Sequence, residues 1–185
     1  MRKSRILTVL LALTVIFTMS FAALPAYAAS GTAITNADDL KAMENNPSGS
    51  YYLANDIEVP EGLSLFTDSR TPFTGTFDGN GHAIKNYTYS TTTEDLMHAG
   101  LFCRTKNASF KNLTMTNVNI SVKSGGNFAA LAAYGQGTVF ENITVSGKVS
   151  ASGAINSLGG IVGSLNGGSI TKCTNKANVT VTGSI

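Results

Sequence analysis

The sequence predicts an all-β protein that folds as a right-handed parallel β-helix of about four to five coils. Three observations predict this class: a repeat with a step of about thirty residues, alternation of apolar and polar residues inside each copy, and clusters of Gly, Asn and Ser between copies. Of the 185 residues, 43% are hydrophobic and 13% are charged. This composition is sufficient for a buried core and excludes a wholly disordered chain.

The repeat consists of two blocks that recur together. The first block is residues 100–103 (GLFC), 130–133 (ALAA) and 160–163 (GIVG), and the second is residues 110–115 (FKNLTM), 140–145 (FENITV) and 170–175 (ITKCTN). An earlier copy of the second block, residues 84–89 (IKNYTY), precedes the next by 26 residues. Because no helical apolar pattern separates the copies, we expect coils of strands and turns stacked at about 4.8 Å, with the right-handed crossover of parallel strands.

Asn86, Asn112 and Asn142 share one position of the second block. We interpret them as a turn ladder, since Asn tolerates left-handed backbone conformations and can bond to its neighbours in stacked turns. The alternative is N-glycosylation, because six asparagines of the chain begin an Asn-x-Ser/Thr triplet. At these three positions the recurrence of the coil motif is enough to explain the triplets, and N-glycosylation is not needed.

The two cysteines fall in different blocks, Cys103 in the first block of one coil and Cys173 in the second block two coils later. The resulting offset of about 10 Å exceeds the roughly 7 Å limit between the Cα atoms of a disulfide. We therefore expect two free thiols that face mostly inward.

Residues 1–28 have the features of a signal peptide. A basic MRKSR segment precedes a long apolar run, and Ala26, Tyr27 and Ala28 supply a cleavage site. We expect cleavage after Ala28, no transmembrane anchor in the mature chain, and a secreted or cell-surface location. The alternative is a retained anchor, since the apolar run approaches the roughly 20 residues that span a bilayer.

Residues 29–50 are predicted to cap the N-terminal end of the β-helix. Asn36 suits the N-cap of a short helix, Asp38 and Asp39 suit its first turn, and Leu40 and Met43 share one face. A frayed loop is the alternative.

Residues 51–185 are predicted as the β-helix itself. Residues 51–59 are interpreted as the first strand, with Tyr52, Leu53 and Ile57 as candidates for burial. Residues 179–185 have a strand pattern with nothing after it, so we expect a β-helix that is incomplete at its C-terminal end or stacks there on a partner.

Three stretches carry a resemblance: residues 34–52 (ITNADDLKAMENNPSGSYY), residues 72–86 (PFTGTFDGNGHAIKN), and the GGIVG signature of Gly159, Gly160, Ile161, Val162 and Gly163. They resemble bacterial surface β-helix proteins with GLUG motifs, and the adhesin-like region found beside IgA1-specific metallopeptidases. The resemblance implies a module for surface display, adhesion or binding of a host or cell-wall glycan or protein. Peptidase activity is not implied, because the sequence has no HExxH motif.

Two sets of polar residues are candidates for a catalytic or metal site. Residues 77–82 (FDGNGH) combine Asp, Asn and His, yet a calcium loop needs more carboxylates, and the pattern favours a turn between strands at residues 73–77 and 83–87. A polysaccharide lyase or glycoside hydrolase of the β-helix type is the alternative function, and would need acids such as Asp56 and Asp78 together. Since Glu141 is the one acid after residue 95, we expect no catalytic residues, no metal and no cofactor.

Ligand-binding candidates come from the longest departures from the coil pattern, residues 63–71 and 90–96, which we expect to project as loops. Phe66, Arg70, Tyr89 and His98 lie in or beside them. A nucleic-acid partner is not expected, because the formal charge of +2 becomes −1 without residues 1–28.

Overall fold

The computed structural model describes residues 30–92 and 96–182. The predicted signal peptide lies outside the described residues, as do residues 93–95 of the second predicted loop and residues 183–185 at the C-terminal end. Within the described ranges, no helix has the length and apolar character needed to cross a membrane.

The described chain contains sixteen strands and one capped helix near the N-terminus. In chain order the elements are β1 (Thr32–Ile34), α1 (Ala37–Ala42), a 3-10 turn (Met43–Asn45), β2 (Ser50–Leu53), β3 (Ile57–Glu58), β4 (Thr76–Asp78), β5 (Ala83–Lys85), β6 (Thr88–Ser90), β7 (Leu96–Ala99), β8 (Phe102–Lys106), β9 (Ser109–Val122), β10 (Gly125–Ala129), β11 (Ala132–Gln136), β12 (Val139–Ala151), β13 (Ile155–Gly159), β14 (Val162–Asn166), β15 (Ser169–Thr171) and β16 (Thr174–Val181).

These strands form three parallel sheets, and from β7 onward the chain visits each sheet once per coil. The long sheet has the order β1-β2-β4-β9-β12-β15, with β3, β5, β6 and β16 paired to parts of it. The second sheet contains β7, β10 and β13, and the third sheet contains β8, β11 and β14. The fold is a parallel β-solenoid of about four turns, which confirms the predicted class.

The interior is filled by apolar side chains that occupy equivalent positions in successive coils. Phe110 stacks on Phe140 with ring centroids 5.4 Å apart, and its edge meets Phe102 at 4.8 Å. All three side chains are fully buried. Stacked aromatic rings contribute both buried area and favourable ring geometry, so they hold neighbouring coils in register.

The N-terminal cap has the predicted form. The side chain of Asn36 accepts hydrogen bonds from the backbone N–H groups of Asp38 and Asp39, and Leu40 and Met43 of the capping segment are fully buried. Residues 35–46 are therefore a helical lid and not a frayed loop.

The first strand was predicted incorrectly. It is β1, which precedes the helix and pairs with β2. Tyr51 and Leu53 of β2 are buried, whereas Tyr52 between them is half-buried, because successive side chains of a strand point to opposite faces. Ile57 is buried as expected.

Asparagines form two separate corner ladders along the long sheet. In the first, Asn142 Nδ2 donates to Asn112 Oδ1 at 3.0 Å, and Asn112 Nδ2 donates to Asp78 Oδ1 at 3.1 Å. In the second, Asn117 Nδ2 donates to Asn86 Oδ1 at 2.8 Å. Asn86 therefore does not belong to the ladder of Asn112 and Asn142, contrary to the prediction from the 26-residue step.

Both cysteines are free, as predicted. Cys103 is buried, while Cys173 is half-buried against the core. Cys173 lies in the last described coil, where Ile170 is 49% exposed and Val179 is 38% exposed. The stacking partner expected at this end stays a prediction.

Candidate functional site

The outward face of the third sheet carries two columns of polar and aromatic side chains. The strand register aligns Arg104 with Tyr134, and Lys106 with Gln136. Both columns continue into β14, at Ser164 and Asn166. Neighbouring strands of a sheet are about 4.8 Å apart, so each column presents its groups at a regular spacing along the solenoid.

A loop forms a wall beside these columns. Leu65 pairs with Phe102, and Phe73 pairs with Thr105, so the chain joins the third sheet on both sides of the loop. Asp68 organises the loop by accepting hydrogen bonds from the Arg70 backbone N–H at 2.9 Å and from Arg70 Nη2 at 3.1 Å. The Arg70 guanidinium is thereby held at the edge of the sheet.

The columns and the loop enclose a shallow pocket of about 220 Å³, called here the third-sheet pocket. Its lining residues are Ser69, Arg70, Pro72, Arg104, Thr105, Lys106, Tyr134 and Gln136. Enclosed ligand sites usually start at about 300 Å³, so this pocket is suited to one unit of a larger ligand that extends along the sheet.

Three of the lining side chains are cationic: Arg70, Arg104 and Lys106. Asp68 is the counter-charge at the edge, and the hydrogen bonds from Arg70 lower the pKa of its carboxyl. Arg104 Nε is buried and has no hydrogen-bond partner in the described part of the chain. The pocket thus carries net positive charge and an unsatisfied donor.

His98 of β7 extends the aromatic surface of the pocket. Its ring stacks on Tyr134, with centroids 5.8 Å apart and planes inclined by 21°. Burial, and then the charge of Arg104, lower the pKa of the His98 imidazole to about 4. The ring is neutral at physiological pH, and its Nδ1 lies 3.4 Å from Asn127 Nδ2.

The four predicted ligand-binding residues are placed in different parts of the molecule. Arg70 lines the pocket and His98 lies beside it. Tyr89 is in β6 of the long sheet, opposite the buried Ile120, and packs against the core. Phe66 is only 3% exposed and stacks on Phe102, so the expectation that it projects from a loop is wrong.

The prediction missed Arg104, Lys106, Tyr134 and Gln136. A signal for them was present, because residues 104–106 (RTK) and 134–136 (YGQ) continue the first repeat block with the same thirty-residue step. Extending the repeat alignment outward from the apolar positions would have placed these four side chains on one face.

The GGIVG signature lies at the corner between the second and third sheets. Gly159 ends β13, opposite Ala129, and Val162 begins β14, opposite Ala132. A Cβ at Gly160 would lie 2.1 Å from Asn175 Oδ1. The absence of a side chain at Gly160 therefore allows the chain to turn tightly against β16.

The residues considered as a metal or acid–base site form a turn. Asn80 has a φ of 52°, and its backbone N–H donates to Asp78 Oδ1 at 2.8 Å. The two acids are engaged separately, Asp78 with Lys111 at 3.3 Å and Asp56 with Lys85 at 2.7 Å. Among residues 30–92 and 96–182, no group of three or more His, Cys, Asp or Glu side chains is arranged to hold a metal ion.

A comparison with known proteins finds a similar sequence in a surface protein. Halomucin of Haloquadratum walsbyi is 30% identical to the chain over 142 residues, which is 68% of this chain and 2% of halomucin. The chain thus spans a very small part of that relative. No solved structure matches the chain.

A family profile described as the M26 IgA1-specific metallo-endopeptidase N-terminal region matches residues 26–147. The match covers the capping helix, strands β8 and β11, and every residue that lines the third-sheet pocket. It concerns the N-terminal region of those peptidases, which is consistent with a chain that is not an enzyme. The chain belongs to the M26 IgA1-specific metallo-endopeptidase N-terminal region family.

Proposed function

We propose that the chain is an exported, non-catalytic adhesion module that binds a glycan in the third-sheet pocket. Family membership and the similarity to halomucin support a surface-associated module at an extracellular or cell-surface location. The proposal that the ligand is a glycan is inferred from the pocket, and a binding experiment is needed to test it.

One observation carries this proposal: Tyr134 lies between polar neighbours on the face of a rigid sheet, next to Arg104 and in the same strand as Gln136. An aromatic ring can pack against the apolar face of a sugar, while amide and hydroxyl groups bond to its hydroxyl groups. Ser69 and Gln136 supply such groups at the pocket. A saccharide unit therefore matches the mixture of flat apolar and polar surface better than a purely apolar ligand would.

Binding of the full chain to an immobilised panel of neutral and acidic oligosaccharides tests the proposal. Tyr134→Ala should weaken the binding of any saccharide that is captured by about 10-fold or more, because buried tyrosines often dominate the free energy of such contacts. Tyr52→Ala is the matched control, since Tyr52 is also half-buried but lies in β2 of the long sheet. Equal affinities for the wild type and the Tyr134→Ala variant would contradict the proposed site.

Export is the second part of the proposal and rests on residues 1–28. The intact mass of the natural product, measured in culture medium, cell envelope and cytoplasm, tests it directly. We expect a species cleaved after Ala28 outside the cytoplasm. An uncleaved cytoplasmic product would contradict export.

A further inference from the structure

We infer that the ligand of the third-sheet pocket is an acidic glycan, whose carboxylate or sulfate group is bound by Arg104. This inference rests on the proposed function, and it specifies the chemical class of the glycan. It is carried by three features of the pocket: a guanidinium group that has no ion pair in the described chain, an excess of positive charge, and the continuation of the binding columns along the solenoid.

The unsatisfied donor is Arg104 Nε. It is buried and has no hydrogen-bond partner in residues 30–92 or 96–182. A guanidinium has donors in a planar fork that match the two oxygens of a carboxylate or sulfate group. Nε itself has no accessible surface, whereas the Arg104 side chain as a whole is half-buried and lines the pocket, so a ligand oxygen would meet the exposed part of that side chain.

The charge of the pocket favours an anion. Asp68 holds Arg70 in a two-point ion pair, with Nε at 3.2 Å and Nη2 at 3.1 Å from its carboxyl oxygens. Neither Arg104 nor Lys106 has an ion pair of this kind within the described chain. Burial, and then the charge of Arg104, lower the pKa of the neighbouring His98 imidazole.

The charge of the later coils also favours an anionic ligand. After residue 95 the sequence has seven Lys and Arg residues and one acid, Glu141. The negative formal charge of the chain without residues 1–28 therefore conceals an uneven distribution, with acids concentrated near the N-terminal cap. Positive potential along the coils raises the rate at which an anionic polymer meets the pocket.

The columns suggest how such a polymer would lie. Ser164 and Asn166 repeat the positions of Tyr134 and Gln136 one coil further along. Hydroxyl and amide groups there could bond to the next sugar unit, while the acidic group of the first unit stays on Arg104. A chain of sugars with charged groups is thus a better match to this surface than an isolated small anion.

The test compares four probes on the full chain: a neutral cello-oligosaccharide, an oligogalacturonide that carries carboxylates, a heparin oligosaccharide that carries sulfates, and a single-stranded oligonucleotide. Affinities are measured by calorimetry at low and at physiological salt. We expect an acidic probe to bind at least about 10-fold more tightly than the neutral one, with a preference that weakens as salt screens the charge. The tighter of the two acidic probes identifies which anionic group is preferred.

Three variants separate the role of Arg104 from its structural effects. Arg104→Gln should lower the affinity for the acidic probe by about 10-fold to 100-fold and leave the neutral probe unaffected. Arg104→Lys keeps the charge and should give an intermediate loss, because the two-point geometry is gone. Lys148→Gln removes a charge from an exposed position of β12 and should leave both affinities within about 2-fold of the wild type.

Each contrary outcome has a distinct meaning. If the neutral and acidic probes bind equally and Arg104→Gln changes neither, the acidic glycan is ruled out while the proposed glycan site stands. If no saccharide binds, the proposed function fails and this inference fails with it. Tighter binding of a single-stranded oligonucleotide than of any saccharide would also overturn the inference, because the site would then recognise a polyanion of another class.

Discussion

The imidazole of His98 stacks on the ring of Tyr134, with the two centroids 5.8 Å apart. The contact joins the second and third sheets at the edge of the pocket. It also has a consequence for stability, because burial, followed by the charge of Arg104, lowers the His98 pKa from 6.5 to about 4. Protonation of this ring is therefore less favourable in the folded chain than in the unfolded one.

Stability should decrease as pH falls from about 6.5 to about 4. In that window the unfolded state binds a proton at His98 that the folded state does not, so the free energy of unfolding falls with pH. Above the window the contribution of His98 is fully present, and below it no further loss arises from this group. Because the ring is half-buried, solvent screening limits the loss to roughly 1 kcal/mol.

Urea unfolding at pH 7.5 and pH 4.5 measures this loss. The difference in the free energy of unfolding between pH 7.5 and pH 4.5 should shrink in the His98→Gln variant. It should persist in His82→Gln, the variant at the other histidine. An unchanged difference in His98→Gln would mean that another group causes the pH dependence.

Asn112 should stabilise the solenoid through both its side chain and its backbone. Its side chain bonds to Asp78 and Asn142, and its φ is 52°, in the left-handed region. The Asn112→Gly variant can still adopt the left-handed backbone, and its free energy of unfolding should fall by about 1–2 kcal/mol because the two side-chain hydrogen bonds are removed. Asn112→Ala should lose about 1 kcal/mol more, because a Cβ disfavours this conformation.

Chemical denaturation of both variants checks this prediction. Asn119→Ala is the control, because Asn119 is exposed in β9 and its side chain makes no hydrogen bond within the described ranges. It should stay within about 0.5 kcal/mol of the wild type. Equal stabilities of Asn112→Gly and Asn112→Ala would show that the left-handed backbone contributes nothing measurable.

The two ladders show where prediction from sequence succeeded and where it failed. The thirty-residue step identified the stacking of Asn112 and Asn142, since the intervening coil keeps its length. Asn86 carries the same motif at a step of 26, yet its partner Asn117 is 31 residues away. Asn86 follows β5, which pairs with residues 114–116 in the middle of β9, whereas Asn112 lies near the start of β9, so motif similarity alone gave the wrong neighbour.

The pocket was only partly predictable for a related reason. Arg70 and His98 can be singled out from the sequence because they lie in or beside departures from the repeat. Arg104 and Tyr134 lie inside the repeat, and their proximity to Arg70 depends on how the loop rejoins β8 at Leu65 and Phe73. That return path has no pattern of its own in the sequence.

Phe110 should be among the most sensitive positions in the core. Its ring is fully buried, stacks on Phe140 at 5.4 Å and meets the Phe102 ring edge-on at 4.8 Å. Phe110→Ala should destabilise the chain by about 3–5 kcal/mol through lost contacts and a cavity. Phe110→Leu should destabilise the chain less than Phe110→Ala does, because the leucine side chain leaves a smaller cavity.

Equilibrium denaturation in guanidinium chloride measures both variants. Val139→Ala, at a side chain that is 37% exposed in β12, is the control and should change stability by less than about 1 kcal/mol. A loss at Phe110→Ala as small as that of the control would contradict a tightly packed aromatic interior.

Asp56 should make the first coil sensitive to acid. Its carboxyl bonds to Lys85 Nζ at 2.7 Å and to the Ala83 backbone N–H at 2.9 Å, with His82 Nδ1 at 3.4 Å. These contacts lower the pKa of the Asp56 carboxyl from 3.8 to about 2, chiefly through the hydrogen bond from Lys85 and then through the bond from Ala83. Because the folded state favours the ionised carboxyl, its stabilising effect is fully present above pH 3.8 and is lost as pH falls through about 2.

Thermal unfolding at pH 7, 4, 3 and 2 tests the role of Asp56. Asp56→Asn should lower the melting temperature at pH 7 and flatten its decrease between pH 4 and pH 2, because the variant has no carboxyl to protonate. Added salt should reduce the difference between the wild type and Asp56→Asn at pH 7, since the ion pair with Lys85 is accessible to solvent. Glu61→Gln is the control: Glu61 is exposed and has no ion pair in the described part of the chain. If Glu61→Gln flattened the acid profile as much as Asp56→Asn, the effect would reflect the net charge of the chain, and the ion pair that joins Asp56 to β5 would not be its source.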